Sequence, residues 1–518
     1  MKEPRRSLTH QTVMGLLWTL YGKGAYALLQ LLVVAVLARL ISPADFGVVS
    51  AALIVIGIST MFSRLGLGPA LVQRPELERR HIDTAFTTSA LMGLGLGALV
   101  YLLAPLGGQF FRTDGVTPVL RALAIVFPLQ GLAAVAGSLM MRELRFRWMA
   151  NLDVISYGIG YGGVGITLAL LGMGVWALVL GQIAQNVIRT AILLSGQPPR
   201  FWNLPERRAF QELMYFGGGF TLAKVANQLA QQGDYLVVGR FLGPSALGYY
   251  GRAYNLMSAP ASGFGTILDS VLFPMMARVQ DDAKRLATAY RRGVALIALV
   301  VLPASAAMLL LAPEVIHVLL GPRWTPVIVP FQILAAGMLF RTSSKMADSL
   351  TRATGAVFRR AWRQIVYAAL VIGGAWVGQH WGIVGVAWGV LLALAVNFVM
   401  MAHLSMSESD ITVAQFWRAH VPAILITLIS FPLVWVLTLG LRQLGLAPIV
   451  LVIAGLAVVA GCFGLLVFVA PATFLGRDGQ WMIETLRGYI QKLTGSRTAA
   501  SAAAAAHPTP TQPAATES

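Results

Sequence analysis

The feature that most constrains this chain is a succession of apolar stretches, each about 20 residues long and able to cross ~30 Å of hydrocarbon as a helix. About 14 of them follow one another, at roughly 13–40, 46–70, 84–109, 117–141, 149–171, 175–195, 211–240, 246–275, 293–320, 326–351, 363–380, 384–403, 420–440 and 446–470. Short segments marked by Gly, Pro or charge separate them. A transmembrane β-barrel would alternate apolar and polar residues instead. Of the 518 residues 57% are hydrophobic and only 12% charged, about half the ~25% charged share of a soluble domain, which excludes an ordinary soluble enzyme. The pattern predicts an all-α polytopic membrane protein of about 14 transmembrane helices. Its first apolar stretch follows Lys2, Arg5 and Arg6, is too long for a signal-peptide core, and is read as a retained membrane helix.

The 39 Lys and Arg residues outnumber 21 Asp and Glu, a net charge of +18. In a soluble chain this would suggest nucleic acid, but here the charge sits in short clusters between apolar runs, so no nucleic-acid partner is expected. With a cytoplasmic N-terminus, alternate connections carry Arg74, Arg79 and Arg80; Arg142, Arg145 and Arg147; Arg200, Arg207 and Arg208; and the clusters around Arg291 and Arg359. Counting the ends, about 27 of the 39 basic residues fall on that side. Both termini are therefore expected in the cytoplasm, and the opposite connections are too short for a sizeable external domain. The single cysteine, Cys462, lies in an apolar run, so neither a disulfide framework nor a cysteine metal site is expected, and no cofactor is called for.

Sliding the chain by 201 residues aligns Lys23 with Lys224, Gln30 with Gln231, Arg39 with Arg240, Pro43 with Pro244 and Gly47 with Gly248, without a gap. Six spans separate the copies, an even number, so the two halves enter the membrane in the same direction and are related by an axis near its normal. The expected organisation is an N-terminal lobe over 1–208 with spans 1–6, and a C-terminal lobe over 209–403 with spans 7–12. Residues 404–494 carry two further spans and a cytoplasmic segment, and the Ala/Pro/Thr-rich tail 495–518 is expected to be disordered.

The stretch Leu-Ala-Arg-Leu-Ile-Ser-Pro-Ala-Asp-Phe-Gly ending at Gly47, and its counterpart from Gly233 to Tyr250, resemble signatures of the oligosaccharide flippase family. This is the polysaccharide-transporter branch of the multidrug/oligosaccharidyl-lipid/polysaccharide exporter superfamily, and the likeness is to its colanic-acid-exporter-like members over about residues 8–475. The resemblance implies two helical lobes around a V-shaped cavity. It also implies transport of undecaprenyl-diphosphate-linked repeat units across the bacterial inner membrane, by alternating access and without covalent chemistry, for exopolysaccharide or O-antigen-type synthesis. Expected partners are the polyprenyl-diphosphate-linked oligosaccharide, the bilayer and polymerase or co-polymerase machinery. Rival readings are a drug/cation antiporter of the same superfamily, a lipid-linked peptidoglycan-precursor flippase, and a membrane glycosyltransferase or polymerase. A basic cavity argues against the first; short outer connections without a carboxylate-rich loop argue against the last.

A charge near the middle of a span costs about 2.5–3.5 kcal/mol on insertion scales and marks a functional candidate. Thr19, Lys23, Tyr26 and Gln30 share one face of span 1, and Lys224, Asn227, Gln228, Gln231 and Asp234 share one face of span 7. These stripes are expected to face each other, unless each lysine snorkels or pairs within its own lobe. Spans 1, 2, 7 and 8 line the cavity in proteins this one resembles, which adds Arg64 and Arg252 as cations for a diphosphate alongside Lys23 and Lys224. Snorkelling is the alternative for Arg64, an ion pair or interfacial contact for Arg252.

Gln30, Gln231, Asn227, Tyr26 and Tyr250 are candidate polar or sugar contacts. Asp234 is a candidate for coupling to H⁺ or Na⁺, or else a fixed ion pair with a cavity cation. Arg341, Lys345, Asp348 and Arg352 recur on one face of span 10, as an ion-coupling site or a salt-bridge network. Asp153 and Asp269 are expected to find partners on neighbouring helices. Gly160-Tyr-Gly162-Gly-Val-Gly165 matches a dinucleotide fingerprint but follows no strand, so helix packing is expected there. Tyr249, Tyr250, Tyr254, Trp176, Trp324 and Trp381 are read chiefly as aromatic-belt residues.

Overall fold

The computed structural model describes residues 8–63, 76–196, 231–476 and 478–480, together with 68, 71, 72, 74 and 206. Among these, regular structure is helical throughout. The first half comprises α1 (Leu8–Leu40), α2 (Pro43–Ser63), α3 (Arg79–Phe111), α4 (Val116–Leu123), α5 (Val126–Arg142) and α6 (Phe146–Tyr157). A π-helical segment, Gly158–Gly165, leads into α7 (Ile166–Leu170) and α8 (Val175–Gly196). The second half comprises α9 (231–241), α10 (Gly243–Ala277), α11 (Ala283–Leu310), α12 (Ala312–Leu319), α13 (Ile328–Ala336) and α14 (Met338–Ala353). It continues through α15 (Val357–Gly378) and α16 (Gly382–Ser409). Beyond it lie α17 (Val413–Gln443), α18 (Pro448–Val469) and the short α19 (Pro471–Phe474).

Ten stretches among the described residues are long and apolar enough to cross a bilayer, or up to eleven if a pair bent by 44° at Gly337 is one span. The expected fourteen are not all separable on this criterion. One stretch, Phe358–Ser409, is 52 residues long and contains a hairpin. There the backbones of Gly374 and Gly389 approach so closely that a Cβ on Gly374 would stand 2.9 Å from the Gly389 carbonyl oxygen. The seventh expected span, 211–240, lies mostly outside the described residues, and the eighth coincides with α10, which is not among the ten.

The turn motifs explain how the halves meet. Ser42 caps α2 by accepting from the Asp45 backbone N–H at 3.2 Å, and Gly243 takes φ +82° ahead of α10, a conformation that favours glycine. The two turns then pack reciprocally. A Cβ on Gly47 would collide with the Pro244 carbonyl, and a Cβ on Gly248 with the Pro43 carbonyl. Pro and Gly thus recur four residues apart in both copies because each copy's glycine receives the other's proline. One buried cluster, including Leu37, Phe46, Leu120, Leu247, Tyr250, Trp324 and Phe331, runs through both halves around these turns. Buried clusters built around Ala85 and Met140 belong to the first half, and one built around Tyr290 joins the second half to α17 and Leu475.

Helices α17 and α18 pack on the second half. Gly455 of α18 lies against Leu311, and the α17 guanidinium of Arg442 forks onto Glu314 at 2.7 and 3.1 Å. After α18 the chain turns back: Leu475 is buried, and Arg291 donates to both oxygens of Asp478 at 2.8 and 3.1 Å.

Candidate functional site: a cation-lined cleft between the halves

The end of the molecule carrying the two turns is tied together by donors that reach helix C-termini. The last four carbonyls of a helix have no intrahelical partner and lie at the negative end of its dipole, so a cation or N–H donor from another element satisfies both needs. Arg39 donates to the Val318 carbonyl of α12 at 2.8 Å. Its repeat mate Arg240 donates to the Gln109 and Phe110 carbonyls of α3 at 3.1 and 2.6 Å. Trp324 donates from its indole nitrogen to the Ala38 carbonyl of α1 at 2.8 Å. Each of these bonds joins one half to the other. Trp324 is fully buried between the rings of Phe46, at 5.4 Å, and Tyr249, at 5.9 Å. It is therefore a plug between the halves and not the belt residue its sequence position suggested. Trp381, by contrast, is 70% exposed.

Inward from this plug lies an aromatic cluster with few charges. Asp234, on α9, is buried; it accepts the Tyr250 hydroxyl at 2.5 Å and the Tyr235 backbone N–H at 3.0 Å. Tyr235 meets Tyr250 and Tyr254 edge to face at 5.5 and 5.4 Å, and the Arg341 guanidinium both hydrogen-bonds the Tyr254 hydroxyl and lies over its ring at 4.9 Å. Tyr250 and Tyr254 are thus buried structural rings, not belt anchors. The Tyr250 hydroxyl, assigned from sequence to a sugar, is committed to Asp234. Among the described residues the partners of Asp234 are a phenol and a backbone donor, not the cation of the expected fixed pairing. Facing this cluster, Tyr26 packs on Tyr157 at 5.1 Å and Tyr157 on Tyr161 at 5.1 Å, while the Tyr161 hydroxyl donates to Gln182 at 2.5 Å.

Arg252 sits between these groups. Its guanidinium lies 4.3 Å over the ring of Phe46, a residue of the other half. Among the described residues no carboxylate lies within ion-pair distance of it. Neither the ion pair nor the interfacial contact considered from sequence is what holds it; an aromatic face does.

Two further cations are Lys23, which is exposed, and Lys345, which is half-buried. The exposed arc of α1 has Lys23 and Gln30 at one edge and Tyr21, Leu28 and Leu32 at the other, the edges about 170° apart at 100° per residue. The apolar edge suits lipid and the polar edge suits the space between the halves. Gln231 is exposed as well. Helix α14 is buried on all sides except one arc, where, past Phe340, the unburied residues are Arg341, Ser344, Lys345, Asp348 and Arg352. An arc of this composition on a helix otherwise packed in protein lines a hydrated cleft. Along it Asp348 pairs with Arg360, and Arg352 pairs with Asp269 at 2.5 Å, which also accepts the Ser349 hydroxyl. Lys345, half-buried beside Gly265, has no such pair among the described residues. The stripe is thus a salt-bridge network at its Asp348–Arg352 end. Asp153 pairs with Arg189 of α8 at 3.2 Å, the neighbouring-helix partner expected of it, as Arg352 is for Asp269. Arg64, Lys224, Asn227 and Gln228 lie outside the described residues.

The carboxylates of this region are engaged, and Lys23, Arg252 and Lys345 have no acidic partner among the described residues, which leaves these cations able to meet an anion. Sequence reasoning missed Phe46 and Trp324. Phe46 was visible inside the Arg39–Gly47 turn motif, but nothing in the one-dimensional pattern linked it to Arg252 or Trp324.

The chain is 25% identical over 407 residues to the lipopolysaccharide biosynthesis protein WzxC of Escherichia coli, covering 76% of this chain and 80% of that one. It is 28% identical over 309 residues to the succinoglycan biosynthesis transport protein ExoT of Rhizobium meliloti (59% and 62%). It is 21% identical over 429 residues to the teichuronic acid biosynthesis protein TuaB of Bacillus subtilis (81% and 88%). Its fold is similar to that of the lipid II flippase MurJ in an inward closed conformation, with a TM-score of 0.65 at 12% identity over 87% of this chain and 98% of that one. It is also similar to an inward-facing multidrug resistance MATE transporter, with a TM-score of 0.59 at 17% identity over 75% and 96%. The sequence pattern of the family described as Polysaccharide biosynthesis protein matches residues 36–329, more than half the chain, and this multi-pass membrane protein belongs to that family.

Proposed function

We propose that this protein is a flippase that carries a polyprenyl-diphosphate-linked oligosaccharide from the cytoplasmic to the outer leaflet of the bacterial inner membrane, by alternating access of its two halves and with both termini cytoplasmic. One observation carries the reading. Lys23, Arg252 and Lys345 have no carboxylate partner among the described residues, whereas Asp153, Asp234, Asp269 and Asp348 are all engaged. A cleft with surplus cations takes a diphosphate, which suits a guanidinium fork and ammonium point charges, and disfavours the cationic substrates of a drug antiporter. The apolar lipid tail stays in the bilayer while the sugar occupies the polar space, with Tyr26, Gln30 and Gln231 as candidate contacts. No bond is made or broken. Asp234 is the candidate coupling residue for H⁺ or Na⁺, and delivery of repeat units to outer-leaflet polymerase machinery completes the role.

The test is transport of diphosphate-linked and monophosphate-linked oligosaccharides into proteoliposomes by the wild type, Lys23→Ala and Arg252→Ala. Loss of one charge-assisted contact should lower diphosphate transport roughly 10- to 100-fold at matched protein level. Equal use of both donors by the wild type, or full activity of both variants, would overturn the diphosphate reading.

A further inference from the structure

The cation stacked on Phe46 sits one ring away from the plug that joins the halves. Arg252 lies 4.3 Å over the Phe46 ring, Phe46 meets Trp324 edge to face at 5.4 Å, and Trp324 donates across the interface to the Ala38 carbonyl at 2.8 Å. The two rings are dry, Phe46 being 3% exposed and Trp324 0%, while Arg252 is half-buried beside them. Phe46 also belongs to the turn whose Gly47 receives Pro244 of the other half. Ligand site, positioning ring, plug and interface are therefore consecutive contacts.

We infer that Phe46 is a positioning residue that couples occupancy of Arg252 to release of the Trp324 plug, so that a bound diphosphate loosens the turn end of the interface. The inference rests on the reading of the cleft as a diphosphate site. The attraction between a guanidinium and a ring face depends on the cation's full charge and is strongest where both are dry. A phosphate on the edge of the Arg252 guanidinium neutralises that charge and weakens its hold on Phe46. Phe46 is then free to leave the Trp324 ring, whose remaining interfacial tie is a neutral hydrogen bond. In the empty protein the same stack keeps the end closed. A ligand shifts a two-state equilibrium only through a contact that differs between the states, and the Arg252–Phe46 stack is such a contact.

The experiment measures the distance between spin labels across the turn end in the full chain, with inorganic pyrophosphate as probe. Cys462, the single cysteine, is replaced by Ser, and labels are placed at Asp114→Cys and Arg323→Cys, both exposed sites on opposite halves. Pyrophosphate should move the parent protein toward longer distances. Phe46→Leu should raise the open population without ligand, by roughly 2- to 30-fold in the open-to-closed ratio, and abolish the response to pyrophosphate. Phe46→Tyr, which keeps the ring face, should restore it. Trp324→Phe, which keeps a ring but loses the indole N–H, should be more open yet still respond, so the idea stays testable if Phe46→Leu folds poorly. A full pyrophosphate response in Phe46→Leu, or Arg252-dependent binding with no change in distance, would overturn the coupling alone. Absent pyrophosphate binding, or binding indifferent to Arg252→Ala, would overturn the diphosphate reading and the coupling with it.

Discussion

Gly47 and Gly248 illustrate how much a missing side chain can specify. Each is helical, with no positive φ that would demand glycine, and what excludes a Cβ is the carbonyl of a proline in the other half. Backbone cannot yield as a flexible side-chain tip can, so a methyl at either site must separate the halves or distort a turn. Gly47→Ala should therefore destabilise the closed turn end specifically. Solvent labelling of a cysteine introduced at Leu247, which is fully buried in the shared cluster, should rise several-fold in that variant while membrane insertion is unchanged. Unchanged labelling would mean that the crossing is looser than its geometry indicates. The arginines of the same motif, Arg39 and Arg240, each reach carbonyls at the end of a helix in the other half. Their placement against orphan carbonyls supplies the physical reason for both.

At the scale of elements, the junction of α9, α10 and α14 brings together polar groups of the second half: Asp234 from the first, Tyr250 and Tyr254 from the second, Arg341 from the third. A carboxylate held by a phenol and one backbone N–H, with Arg341 within electrostatic reach, can exchange a proton or accept a small cation without breaking an ion pair. Asp234→Asn keeps the shape and removes the charge, so the proposed coupling role predicts transport that no longer responds to an imposed pH or Na⁺ gradient. Asp153→Asn, at a paired carboxylate in the other half, should leave gradient dependence intact. Reconstituted transport across each gradient decides between them, and an unchanged gradient response in Asp234→Asn would remove it from coupling. The glycine-rich stretch of span 5 was legible as a packing element, and a Cβ on Gly160 would indeed stand 2.6 Å from the Gln185 backbone nitrogen. Its winding as a π-helix over Gly158–Gly165 was not legible, because helix type depends on how the segment seats against α8.

For the whole molecule, the orientation proposed from the basic clusters predicts that reporter fusions after Arg79, Arg207 and Arg292 read as cytoplasmic and fusions at Ser42 and Pro244 as external. A reversed pattern in either half would contradict a parallel repeat. The helical class and the existence of a sequence repeat are properties of composition and period, which survive projection onto one dimension. Long apolar runs leave helices as the solution in lipid, since every backbone polar group must be satisfied within its own segment. Those features the sequence determined by itself. It also singled out Lys23, Arg252 and Asp234, because a charge inside an apolar run stands out whatever the fold. What only the tertiary structure decided is which charges are already spent. Asp269 finds Arg352 83 residues away, Trp324 finds Ala38 286 residues away, and Arg252 finds an aromatic ring instead of an acid. Pairing at such separations is set by how helices cross, and helix crossing is set by side-chain shape at close contact, for which apolar periodicity carries no record.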